Sequence, residues 1–388
     1  MILVSEPILG PEEKAALCDV IDSGWITMGD RVSALEQAFA EKHKTSDAVA
    51  VSSCTAGLHL ILHALGVGPG DEVLVPSLTF VATINCVLYV GATPVFVDID
   101  SLDRPLISLT DAAAKCTAKT KAVIVMHYAG YVAGREAWRD FAKEHALLLI
   151  EDAAHAAGAD QAGTFGDAAA FSFYGNKNMT TAEGGMVTAR DAALIAKIRQ
   201  MRGHGMTSGT FQRYAGRTVG YDVTMLGFNY RMDELRAAVG FVQLEKLAQW
   251  NDRRRALTHR YMRLLSEHCP EVSVPFAKGL ASKVQSSSHH ILPVLLPESS
   301  GRHDVINGLR DAGIQTSNHY PPAHKLSFYR NCFPSVSLPR TEEFACRQLT
   351  LPLHPGLEDS QVDRVVTTLA RVLRQKSLTL RGSEERVA

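Results

Sequence analysis

Short runs rich in Val, Ile and Leu recur between helix-length amphipathic stretches, and this alternation restricts the chain more than any other feature. Seven such runs lie between Ala48 and Ala189: Ala48 to Ser53, Glu72 to Ser77, Thr93 to Ile99, Ala122 to Tyr128, Ala146 to Asp152, Ala168 to Tyr174 and Gly185 to Ala189. Runs this continuously apolar belong to strands buried on both faces, the condition of a parallel sheet wrapped by helices. Helices fit the intervals at Thr55 to Leu65, Phe80 to Val90 and Glu136 to Glu144. Gly66, Gly68 and Gly70, with Pro69 and Asp71, supply the turn into the second run. The spacing predicts an α/β layered domain.

At 388 residues the chain exceeds the size at which a single core stops growing, so two domains are expected. The division predicted here is a large domain over residues 1–250 and a smaller α+β domain over 251–388. Asp233 to His259 reads as a long helix, with Leu235, Val239, Val242, Leu247 and Trp250 at roughly helical spacing. Beyond it the pattern gives strands at Ser287 to Leu296 and Gln315 to Ser317, and helices at His303 to Ala312 and Ser360 to Gln375. Ser377 to Ala388 is polar and is expected to fray.

With a net charge of −1, no broad attraction to nucleic acid or an anionic membrane is expected. No apolar stretch is long enough to span a bilayer, and the start lacks the basic and apolar segments of a secretion signal. The seven cysteines are scattered singly, without zinc-site or disulfide-scaffold spacing, which predicts free thiols, no metal site and a cytoplasmic protein.

Several candidate functional residues fall where strands end. Ser52 to Leu58 sets small residues at a strand-to-helix turn, where exposed N–H groups and the helix dipole can hold a phosphate, although Ser and Thr there are also ordinary caps. Phe80 follows the second strand at the edge where ligands gather in open α/β sheets; it reads either as a stacking aromatic or as a helix-start core residue. Asp152 ends the fifth strand, and reads as a buried ligand-pairing carboxylate or a helix cap. His155 follows three residues later, and Lys177 lies 25 residues beyond Asp152, before a Thr-Thr-Ala-Glu-Gly-Gly turn. An amine that can hold an aldehyde as an imine, with a carboxylate that can keep a pyridine nitrogen protonated, is what pyridoxal 5′-phosphate (PLP) chemistry requires. The order of phosphate turn, aromatic, carboxylate and lysine along one sheet edge carries that reading; no single residue does.

The chain resembles the DegT/DnrJ/EryC1/StrS family of PLP-dependent sugar aminotransferases over nearly its whole length. Matching segments include Ser23 to Gly29, Leu65 to Val73, Gly91 to Asp98, Lys177 to Thr180, Glu183 to Gly185, Asn229 to Met232, His319 to Pro322 and Leu351 to Leu357. The resemblance implies an aspartate aminotransferase-like fold (fold type I), with a mixed, mainly parallel seven-stranded sheet, and a homodimer with shared active sites. It implies that Lys177 carries the cofactor, Asp152 meets the pyridine nitrogen, Phe80 stacks on the ring and His155 reaches the phenolic oxygen. Thr55, Ala56 and Ser172 would bind the phosphate, with Asn229 arriving from the partner chain. Trp25, Thr27, Glu183, His319 and Tyr320 are the candidates for substrate contacts. His155 stands where many relatives have Gln, and Tyr128 to Arg135 lacks the Asp-Met-Asp often found after this turn.

The implied reaction takes an amino group from an amino acid, L-glutamate being the expected donor, and leaves the cofactor as pyridoxamine phosphate. A nucleotide-linked 4-keto-6-deoxy sugar then collects the amine, at C4 rather than C3, in polysaccharide or glycosylated natural-product biosynthesis. Keto-cyclitol acceptors compete with keto-sugars on this reading. A dehydratase branch of the family carries histidine at the lysine position, so Lys177 argues against it. A non-catalytic PLP-binding regulator of transcription would bring a basic helix-turn-helix segment, for which neither terminus has the composition.

Overall fold

The computed structural model describes residues 1–209, 216, 220–278 and 286–384. Seven strands form one sheet: β1 (Ala48–Val51), β2 (Glu72–Pro76), β3 (Thr93–Val97), β4 (Thr120–Met126), β5 (Leu148–Asp152), β6 (Ala168–Ser172) and β7 (Gly185–Ala189). Their spatial order is β3-β2-β4-β5-β6-β7-β1. β3, β2, β4, β5 and β6 run parallel, whereas β7 is antiparallel to both β6 and β1. The two reversals leave β1 parallel to the rest. The carboxyl ends of β1, β2, β4, β5 and β6 therefore open on one edge, and the candidate residues at those ends are brought to the same side of the sheet.

Both faces are covered, which is why the strands read as continuous apolar runs. Leu74, Val123, Val125 and Leu149 pack with Phe39, Phe141 and Leu244 on one face. Val73, Val75, Ile124 and Ile150 pack with Leu58, Ile61 and Val87 on the other. The period of two along each strand decides which cluster a residue joins.

A third apolar cluster gathers Leu257, Tyr261 and Leu265 of the long helix with Val294, Leu349, Val365, Leu369 and Ile2. It surrounds the antiparallel pair β8 (Leu292–Leu295) and β9 (Gln348–Leu351). Ile2 pairs with Ile314, so the first residues of the chain join this cluster. The long helix runs Glu234–His268, beyond the expected end at His259, because Tyr261, Leu264 and Leu265 extend its buried stripe into that cluster. Residue 250 falls within this helix.

Several expectations differ from the structure. Only Leu292–Leu295 of the expected Ser287 to Leu296 strand pairs as a strand, and Gln315 to Ser317 contributes one bridge, Ser317 to Thr350. The last helix, Asp359–Glu384, continues past Ser377, where polar composition suggested fraying; residues 385–388 lie outside the described residues.

Candidate active site

Asp152 is the last residue of β5 and is almost fully buried. Its Oδ2 accepts from Thr83 Oγ1 (2.6 Å) and its Oδ1 from the Ala154 N–H (3.1 Å). Burial raises its pKa; the Thr83 and Ala154 hydrogen bonds and the Lys177 charge oppose that rise. The preceding residue, Glu151, points to the opposite face, where His127, Gly163, Phe165 and Gly166 all donate to its two oxygens. Two adjacent carboxylates thus have separate environments, one pinned in the core and one at the sheet edge.

Lys177 lies in the β6–β7 connection, its own N–H bonded to Tyr174 O (2.9 Å). That connection is held to the long helix: Gln243 Oε1 accepts from the Thr180 N–H, and Asn178 Nδ2 donates to Asn251 Oδ1 (2.7 Å). Burial lowers the Lys177 amine from 10.5 to about 8, against the opposing influence of Cys54 and Asp152. An amine in this range is partly neutral near physiological pH, hence nucleophilic toward an aldehyde.

Three buried imidazoles, His155, His290 and His319, lie close enough to feel the Lys177 charge, with the Tyr320 phenol beside His155. Burial, followed by the Lys177 charge, holds His155 far below the usual histidine range, and holds His319 at about 4. His155 Nε2 meets Tyr320 OH (2.8 Å), while its buried Nδ1 has no hydrogen-bond partner among the described residues. His290 lies with its ring centroid 4.2 Å from that of His155. Asn178 Nδ2 is committed as donor to Asn251 and to Ser288 O, so its Oδ1 accepts from His290 Nδ1–H (2.8 Å), which fixes the His290 tautomer. His319 Nδ1 meets Thr350 Oγ1 (3.0 Å), and Tyr128 OH donates to His319 O.

On the other flank, Ser53 caps the helix α3 (Cys54–Ala64) by accepting from the Ala56 N–H (3.1 Å). The Ala56 N–H is thus already engaged, whereas the Thr55 hydroxyl makes no hydrogen bond among the described residues. Gly185 separates this helix start from β6: a Cβ there would lie 2.7 Å from both Cys54 N and Phe171 O. The register pairs Gly185 with Ser172 on one side and Val51 on the other, which sets Ser172 across from the α3 start. Phe80 is 56% exposed, an unusual state for phenylalanine at a sheet edge, with its ring centroid 6.1 Å from that of Tyr320.

The structure thus gathers Lys177, Asp152, His155, His319, Tyr320 and Phe80, with Thr55, Ala56 and Ser172 together beside them. Trp25 instead lies against Gly29, over the start of the long helix, where Ile26 O accepts from the Glu234 N–H. Thr27 is exposed and lines a cavity of about 600 Å³ with Arg199, Arg202 and Arg231. Glu183 and Asn229 are exposed, and neither side chain joins the hydrogen bonds around Lys177 in its own chain. Among the described residues there is no His, Cys, Asp and Glu group that could hold a metal, and no helix long and apolar enough to cross a membrane.

The sequence profile of the DegT/DnrJ/EryC1/StrS aminotransferase family matches residues 7–370. The chain belongs to that family. Helicobacter pylori PseC, an aminotransferase involved in pseudoaminic acid biosynthesis, is similar with a TM-score of 0.89 at 28% identity, covering 96% of this chain and 99% of that one. The Streptococcus pneumoniae sugar aminotransferase Spr1654 in its PMP form gives 0.88 at 30% identity, over 97% and 100% of the two chains. DesI, solved in the presence of its TDP-sugar product, gives 0.86 at 32% identity, over 98% and 95%. The mostly parallel seven-stranded α/β fold of this aminotransferase is the one the resemblance implied. Thr83 and His290 escaped the sequence reading. The signal for His290 was the His-His pair entering a strand; Thr83, at the start of a helix, carried none.

Proposed function

We propose that this aminotransferase uses PLP to move an amino group from L-glutamate to C4 of a nucleotide-linked 4-keto-6-deoxy sugar, acting as a homodimer. The observation that carries the reading is the placement of a partly neutral Lys177 and a buried, hydrogen-bonded Asp152 on one sheet edge beside the exposed Phe80 face. The residues fit the cofactor. Asp152 retains lone pairs for a ring N–H, His155 Nδ1 is a buried polar atom without a hydrogen-bond partner among the described residues, and Gly185 keeps the α3 start clear. When bound, PLP supplies the electron sink that lets an amino group leave one carbon and reach another.

The chain's residues supply the rest. Lys177 would hold the cofactor through its aldehyde carbon, and its free amine would carry a proton to and from the substrate carbon. Asp152 would hold the proton at the ring nitrogen; Thr55 and Ser172 would bind the phosphate, with Asn229 of the second copy beside them. Phe80 would exclude water from one ring face, and Tyr320, through its bond to His155, would order the polar edge. The nucleotide-sugar acceptor is supported by likeness to DesI, with its TDP-sugar product.

The test is the absorbance spectrum of the PLP-loaded protein before and after L-glutamate, for wild type and Lys177→Ala, followed by assay with 4-keto and 3-keto nucleotide sugars. Conversion to the pyridoxamine spectrum by wild type alone, then amine transfer to the 4-keto sugar, supports the reading. A Lys177→Ala protein that behaves like wild type refutes it.

A further inference from the structure

Thr79 and Thr83 lie beneath the turn that presents Phe80. Thr79 is 2% exposed and Thr83 fully buried, so neither hydroxyl meets bulk water. Thr83 Oγ1 is 2.6 Å from Asp152 Oδ2, and Thr79 Oγ1 is 2.7 Å from Thr83 Oγ1. A hydroxyl has one proton to give, and an ionised carboxylate only accepts. Thr83 must therefore spend its proton on Asp152, which obliges Thr79 to donate to Thr83. Every donor in the row then points toward the carboxylate, and each bond polarises the next. On the far side Asp152 Oδ1 accepts from the Ala154 N–H (3.1 Å). Ionisation of Asp152 secures this order; a carboxyl protonated on Oδ2 would have to donate to Thr83 and so reverse it.

Resting on the PLP reading above, we propose that Thr79 and Thr83 form a two-hydroxyl relay that holds the Asp152 carboxylate ionised and aimed at the cofactor's ring N–H. Both are positioning residues, acting through Asp152. The same five-residue turn thus sets the stacking face and the charge under the ring nitrogen. The helix α4 (Ala82–Tyr89) begins inside this turn, and the Thr83 N–H bonds back to Phe80 O (3.2 Å), so the two functions are mechanically tied.

The test compares dissociation constants for PLP and for 1-deaza-PLP, in which a C–H replaces the ring nitrogen, across wild type, Thr83→Val, Thr83→Ser and Thr79→Val. Loss of a hydrogen bond to a charged group should weaken PLP binding about tenfold to a hundredfold in Thr83→Val and leave the deaza analogue within about twofold. Thr83→Ser should restore the preference. Thr79→Val, which retains the Thr83 bond and loses only its polarisation, should fall between. A Thr83→Val protein that loses both ligands equally, or neither, overturns the relay while leaving the aminotransferase reading standing. Should Thr83→Val fail to fold, Thr79→Val decides: an unchanged PLP preference overturns the relay. A wild type that takes up neither ligand overturns both.

Discussion

The lowered basicity of Lys177 can be measured without any cofactor. At its ordinary value of 10.5 about one lysine in a thousand is neutral at pH 7.5; at about 8 the fraction is about a quarter. Burial produces the shift, and Asp152 opposes it by favouring the ammonium. Removing that negative charge with Asp152→Asn must therefore move the Lys177 midpoint further down, whereas loss of burial would move it up. Competitive acetylation of the apo-protein by acetic anhydride across a pH series, with the Lys177 peptide quantified by mass spectrometry, reads the neutral fraction directly. Wild type should show a midpoint near 8 and Asp152→Asn a lower one, with exposed lysines as internal references near 10.5. A wild-type midpoint at the reference value, or an upward move in Asp152→Asn, refutes the account of why this amine is reactive.

Two further outcomes follow from the packing. His43 accepts from the Gly158 N–H at Nε2 (3.2 Å) and donates from Nδ1 to Ala162 O (3.3 Å), and burial lowers its pKa to about 4. Below 6.5 the unfolded chain binds a proton there that the folded chain refuses, so stability is full above 6.5 and falls as pH drops toward 4. His43 alone should cost about 2 kcal/mol between pH 7.5 and 5 in urea denaturation, and His43→Leu should remove that part of the slope. Gly185→Ala would drive a methyl into the Cys54 and Phe171 backbones, which cannot yield as a side-chain end can. It should lower stability by about 1–3 kcal/mol and reduce the thermal shift on adding PLP, both read in melting curves.

The strands were legible because each is buried on both faces, so composition alone marks it, and all seven were found within about two residues of their ends. The helices at Pro11–Ser23 and Asp30–His43 were not. The second buries Glu36 and His43, polar positions that break an apolar stripe, and Glu36 is satisfied by Arg199 and Arg202 from far along the chain. Such a pairing exists only in three dimensions. In the candidate site, residues with unusual side chains at strand ends were recognisable: Lys177, Asp152, Phe80 and His155. Thr83 was not, because a threonine in a helix's first turn looks the same whether or not a carboxylate waits beneath it. Trp25 and Thr27 matched a family segment, yet in this chain they stand by the long helix rather than by Lys177, which sequence position could not reveal.

Glu151 and Asp152 occupy opposite faces of one strand, and a slip of β5 by a single position would turn each to the other's face. A slip one way would set Asp152, one methylene too short, before the His127, Gly163, Phe165 and Gly166 donors; a slip the other way would set Glu151, one methylene too long, before Thr83. Neither substitute satisfies the other's partners, so the pair acts as a proofreading device for strand alignment. A chain that pairs β5 one position off thus loses the hydrogen bonds of its core carboxylate and of its sheet-edge carboxylate together.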